Sequence, residues 1–81
     1  MLDILKKLVN TVSVSGNEGE ISNVIQKLTE KYADEITKDA LGNLTVLKKS
    51  KKKNAKKIMI ASHMDEIGFI VTFIDDSGYI K

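Results

Sequence analysis

Cysteine is absent from this 81-residue chain, and so are proline and tryptophan. Without cysteine there is no disulfide to staple a small domain and no thiolate to hold zinc. That fits a reducing compartment. The lack of proline carries no functional message. Long apolar runs are missing too. None approaches the roughly 20 residues needed to cross a bilayer. The start, Met-Leu-Asp-Ile-Leu-Lys-Lys, is charged and amphipathic, and lacks the unbroken apolar stretch of a signal peptide. The formal charge of +2 is too small to imply a nucleic-acid partner. A 42% hydrophobic and 30% charged composition reads as globular rather than disordered. The length allows one small domain or part of a larger one, and chains this short bury little of their surface.

The chain has one histidine, His63, and it stands in the most informative stretch. An apolar run, Ile58 to Ala61, leads to it, and Asp65 and Glu66 follow. A strand that ends on His-x-Asp-Glu is a common way to present ligands to a metal. In extended backbone, residues i and i+2 share a side, so His63 and Asp65 can project into one cleft. A carboxylate on the second ring nitrogen of a ligating histidine fixes its tautomer and raises its basicity. The competing reading is a strand-end histidine bonded to nearby backbone. Glu66 points the other way and ranks below Asp65. Catalytic zinc takes three or more protein ligands, so His63 and Asp65 alone do not complete a site.

Before this stretch the periodicity predicts a helix over 2–12, with Leu5, Leu8, Val9 and Val12 on one face. A loop follows at 13–17. A second helix then begins with Asn17 as N-cap and Glu20 completing a capping box. Its apolar face is Ile21, Val24, Ile25, Leu28 and Tyr32. Residues 35–38 and 44–48 read as a hairpin around Asp-Ala-Leu-Gly-Asn, with Gly42 or Asn43 free to take a positive φ. Seven lysines between Lys48 and Lys57 mark a solvated loop. No aromatic residue is interleaved to stack on bases, which argues against nucleic acid. Ile58 to Ala61 reads as a strand buried on both faces, and Ile67 to Ile74 as another. Gly68 inside that run marks a close approach of backbone or a bulge. Asp39, Asp75 and Asp76 fall in turns. The segment from Ser13 to Gly19 precedes a helix but lacks the lysine and glycine spacing of a phosphate loop, so helix capping accounts for it.

Three blocks carry a resemblance: Ser-Val-Ser-Gly-Asn-Glu at 13–18, Lys-Asp-Ala-Leu-Gly-Asn-Leu at 38–44, and Ile-Met-Ile-Ala-Ser-His-Met-Asp-Glu-Ile-Gly-Phe-Ile-Val at 58–71. In this order they resemble the N-terminal part of the glutamyl and tetrahedral aminopeptidases, cytosolic metallopeptidases of which some have been labelled endoglucanases. The resemblance implies an α/β fold, the N-terminal part of a zinc-peptidase-like α/β/α domain. Two helices would be followed by a hairpin and buried strands over 1–71, and 72–81 would enter a β-rich inserted domain used in oligomer assembly. It implies removal of N-terminal residues from peptides at a centre of two divalent metal ions, zinc or cobalt. By resemblance His63 is a metal ligand and Asp65 supports that ligand and the metal centre, while Gly42 and Asn43 are structural. The family's bridging aspartate, catalytic glutamate and second histidine have no counterpart here. The expectation is therefore an N-terminal segment of a longer, oligomeric enzyme, inactive alone and acting on peptides rather than on nucleic acid or membranes. The alternative is a non-catalytic binding or assembly module that retains the fold.

Overall fold

A computed structural model describes all 81 residues. Helix α1 spans Leu2–Val9 and helix α2 Gly19–Thr29; strands β1, Glu35–Lys38, and β2, Leu44–Leu47, pair antiparallel. The predicted order of helix, helix and hairpin is the observed α/β order.

Helix α1 stops three residues short of the expected end. Its last turn is closed by the Asn10 amide on the Lys6 carbonyl, and the Thr11 hydroxyl donates back to the Lys7 carbonyl at 2.7 Å. Such side-chain competition favours helix ends over helix interiors. The capping box at Asn17 and Glu20 does not form. Glu18 is the N-cap residue, and its side chain makes no cap bond. Its carboxylate instead accepts the Gly16 amide at 2.7 Å, while the Asn17 amide donates to the Val14 carbonyl. The tight turn at 14–17, with Gly16 at φ +84°, takes up the Asn17 amide that a capping box needs. Tyr32 lies beyond the end of α2 and is exposed, with Lys31 Nζ 5.2 Å from its ring centroid.

The hairpin forms where the sequence places it. Its register sets Ile36 opposite Val46 and Lys38 opposite Leu44. The Asp34 amide extends the ladder to the Leu47 carbonyl. At the turn, Asp39 Oδ1 accepts the Leu41 and Asn43 amides, each at 2.9 Å, and Oδ2 accepts Asn43 Nδ2 at 2.8 Å. Gly42 supplies the positive φ, +89°. These bonds hold the Asp39 carboxyl below the usual carboxylate range, the Asn43 side chain contributing most. The device recurs at Asp75, whose Oδ1 accepts the Ser77 and Tyr79 amides with Gly78 at φ +86°. Thus Asp39 and Asp75 are turn formers, as their sequence positions suggest.

The strands expected after the lysine loop do not form as buried strands. Ile58, Met59 and Ile60 are 87 to 91% exposed, and Ile67, Phe69 and Ile70 are also bare. Pairing in this half is confined to two isolated bridges, Val14 with Glu66 and Ile74 with Ile80. A strand apolar on both faces needs a neighbour on each edge and a layer on each side. Nothing in these 81 residues supplies them. The apolar pattern records a capacity for burial that goes unused here. The chain is accordingly elongated, 67 × 29 × 16 Å, with a radius of gyration of 17.8 Å. A compact chain of this length would have about 12 Å. Its accessible surface is 7711 Å², against about 4,900 Å² for a compact protein of this mass. The packed part lies where α2 meets α1 and β2, around buried Ile21 and Ser22. No helix is long and apolar enough to cross a membrane.

Candidate metal-ligand site

Two backbone hydrogen bonds place the His-x-Asp segment. The Glu66 amide donates to the Ser13 carbonyl at 2.8 Å, and the Ser15 amide donates to the Glu66 carbonyl at 3.1 Å. Together they make the parallel bridge between Val14 and Glu66. Gly68 permits this approach. A Cβ built there would lie 2.5 Å from Val14 Cγ1 and 2.9 Å from Cγ2, inside any tolerable contact. The close-approach reading of Gly68 is what the structure shows.

His63 and Asp65 do come together. His63 Nδ1 lies 3.0 Å from the Asp65 carbonyl oxygen and 3.2 Å from Asp65 Oδ1. Both neighbours can only accept at the pH where the carboxylate is ionised, so Nδ1 carries the proton. In the neutral imidazole this leaves the Nε2 lone pair free, on a side chain 83% exposed. The two readings of His63 thus coexist: it bonds nearby backbone, and the same bond frees the nitrogen a metal would need.

The second carboxylate oxygen is also engaged. Ser15 Oγ donates to Asp65 Oδ2 at 2.5 Å. The Ser15 hydroxyl first, then the residue's own backbone amide and the His63 ring, hold the Asp65 carboxyl below the ordinary carboxylate range. Sequence reasoning missed Ser15. It stands 50 residues from Asp65, and neither helical nor strand periodicity reports on so distant a pair. Glu66 contributes its backbone to the bridge and joins no ligand cluster. No three His, Asp or Glu side chains converge into a group able to hold a metal. The donor set therefore fits one metal ligand, His63 Nε2, with a fixed orienting carboxylate. It does not by itself close a coordination sphere.

The comparisons with known proteins cover this same segment. The family described as M42 glutamyl aminopeptidase matches residues 42–81, the segment that carries His63 and Asp65. Over all 81 residues the chain is 52% identical to an Acetivibrio thermocellus protein provisionally named an aminopeptidase, of which it covers 24%. It is 36% identical over 80 residues to the lysyl aminopeptidase of Pyrococcus furiosus, covering 98% of this chain and 22% of that protein. The glutamyl aminopeptidase of Lactococcus lactis is 36% identical over 81 residues, covering 100% of this chain and 23% of that protein. The chain therefore spans about a quarter of the length of the curated relatives it matches. No solved structure matches. In sequence the chain is similar to these aminopeptidases along its full length, and to the M42 glutamyl aminopeptidase family over residues 42–81.

Proposed function

We propose that this M42-aminopeptidase-like chain supplies the N-terminal part of the catalytic domain of a metal-dependent aminopeptidase, and that it is inactive alone. One observation carries the reading: His63 offers a free Nε2, with Nδ1 tied to Asp65, inside the segment matched by the family. On this reading residues 1–71 belong to the catalytic α/β domain and 72–81 lead into an inserted domain. The substrate is a peptide, and the assembled enzyme is a cytoplasmic homo-oligomer. Two divalent ions, zinc or cobalt, supply a polarised carbonyl and a water of lowered pKa when bound. This chain's own part is narrower. His63 Nε2 is one ligand, and Asp65 holds the imidazole in the Nδ1–H tautomer so that Nε2 stays unprotonated. The remaining ligands and the base come from the portion of the relatives that this chain does not span.

The test is aminopeptidase activity, with cobalt and zinc supplied, on two proteins. One is this chain alone. The other is the chain fused to the part of the Acetivibrio thermocellus relative that lies beyond the match. Activity in the fusion, none in the short chain, and loss in the fusion on His63→Ala is the expected result. Hydrolysis by the short chain overturns its inactivity. A folded but inactive fusion overturns the catalytic reading and leaves the assembly module. The exposed apolar residues at 58–60 and 67–70 favour that second reading, because unpaired strand edges can associate between copies.

A further inference from the structure

We infer that Ser15 is a positioning residue for His63, acting through the Asp65 carboxylate, so that the loop before α2 adds to the Asp65 carbonyl in setting the tautomer of the candidate metal ligand. This rests on the reading of His63 as a ligand but makes a separate claim about how it is prepared. Asp65 is exposed enough to rotate, its side chain retaining 40% of its accessible surface. A carboxylate free to rotate cannot fix an imidazole. The observed carboxylate has a separate partner for each oxygen: Oδ2 takes the Ser15 hydroxyl and Oδ1 faces His63 Nδ1. Because each oxygen has its own partner, turning the group to serve one breaks the contact with the other.

The serine is in turn held at both ends. Its amide donates to the Glu66 carbonyl, and its hydroxyl also lies 3.3 Å from that oxygen. Gly16 follows at φ +84°, with its amide on the Glu18 carboxylate, which turns the chain away directly after the serine. Ser13 is buried, and its carbonyl accepts the Glu66 amide. The loop from Ser13 to Glu18 therefore grips the backbone beside Asp65 and puts one hydroxyl on its carboxylate. A plain structural role for Ser15 would need the backbone bonds alone, and these do not require a hydroxyl. The hydroxyl on Oδ2 is what points to control of the side chain.

Histidine occurs once in this chain, so its ring nitrogens can be read without assignment. The experiment labels His63 with ¹⁵N and measures the ratio of Nδ1–H to Nε2–H tautomers at neutral pH in the metal-free full chain. Ser15→Ala and Ser15→Thr are compared with it. The unmutated chain should favour Nδ1–H well above a short unstructured peptide carrying His-Met-Asp. Ser15→Ala should lower the ratio about threefold, as expected for loss of one partly exposed hydrogen bond acting through the carboxylate. Ser15→Thr, which keeps a hydroxyl on the same Cβ, should retain it. A peptide-like ratio in the unmutated chain overturns the proposal. So does an unchanged ratio in a Ser15→Ala variant with the native amide spectrum. If Ser15→Ala fails to fold, Ser15→Thr decides: a native ratio supports the proposal and a peptide-like ratio in a folded variant overturns it. Zinc is then added to the unmutated chain. If zinc at a concentration that shifts the imidazole of the His-Met-Asp reference peptide leaves the Nε2 resonance unmoved, the ligand reading fails while the tautomer result stands on its own.

Discussion

Gly68→Ala should detach the His63 segment from the rest of the chain. The added Cβ would sit 2.5 Å, 2.9 Å and 3.3 Å from Val14 Cγ1, Cγ2 and Cβ. Ordinary contact begins at 3.4 Å, so the nearest atom must retreat by about 0.9 Å. Valine gives little ground, because a β-branched side chain is stiff at χ1 and both methyls already flank the new atom. The backbones must separate instead. The Ser15 amide to Glu66 carbonyl distance is already 3.1 Å, near the end of the useful range, and cannot stretch far and survive. Overpacking of this kind costs about 1–3 kcal/mol. The clamp it opposes comprises two backbone hydrogen bonds, each worth about 1 kcal/mol net, and the exposed Ser15–Asp65 bond. The two quantities are comparable, so one methyl is enough to open the clamp in a large fraction of molecules.

Amide hydrogen exchange at Glu66 and Ser15 reads this directly, since both protons are held only by the clamp. Gly68→Ala should raise their exchange about tenfold or more, as an opening of roughly 1.4 kcal/mol implies, while the β1–β2 amides keep theirs. Val14→Ala removes both offending methyls and leaves only the 3.3 Å contact. In the Gly68→Ala background it should therefore restore part of the protection, a coupling of opposite sign to the single changes. Native protection in Gly68→Ala would refute the reasoning, and so would a double variant no better protected than Gly68→Ala.

Two further predictions concern the hairpin. Gly42→Ala has open space for its Cβ but must hold φ near +89°, so its cost is conformational, about 1–2 kcal/mol, and Gly42→Asn should lose less; cross-strand NOEs between Thr37 and Thr45 report the loss. The Asp39 carboxyl is held below its ordinary value by the Asn43 side chain first. A depressed folded pKa means the stabilisation is fully present above the unfolded value of about 3.9 and fades as pH falls through the folded one. The Leu41 and Asn43 amide shifts should stay constant from neutrality to about pH 5 and move on further acidification; Asp39→Asn showing the same acid transition would count against this.

What could be read from the sequence follows from the range of each signal. The two helices and the hairpin rest on local periodicity and on Asp39 to Asn43, whose hydrogen bonds span no more than four residues. The meeting of His63 and Asp65 needed only the i, i+2 rule of extended chain. The helix ends differ from the periodicity because local competitors intervene: the Thr11 hydroxyl takes the Lys7 carbonyl, and the Val14 carbonyl takes the Asn17 amide. Ser15 was invisible for a different reason. Its partner lies 50 residues on, and no pattern within either segment encodes their register.

The strands at 58–61 and 67–74 show the limit most clearly, and they bear on the site. Their composition is that of buried strands, yet Ile60 is 91% and Phe69 92% exposed. Burial is a property of neighbours as well as of residues, and the relatives this chain matches are about four times its length. Within these 81 residues, the segment carrying His63 is joined to the helices by hydrogen bonds through Ser13 and Ser15 alone. Few buried contacts and a small number of exposed hydrogen bonds define a low-stability unit. The preparation of His63 in this chain is therefore only as stable as that clamp. Apolar neighbours covering Ile58 to Ile60 and Ile67 to Ile70 would stabilise the same geometry without altering any group that touches the imidazole. Zinc affinity at His63 should accordingly rise in the fusion by more than its added ligands account for. Replacing the added ligands while keeping the apolar cover separates the two contributions: zinc affinity at the level of the short chain would show that cover adds nothing.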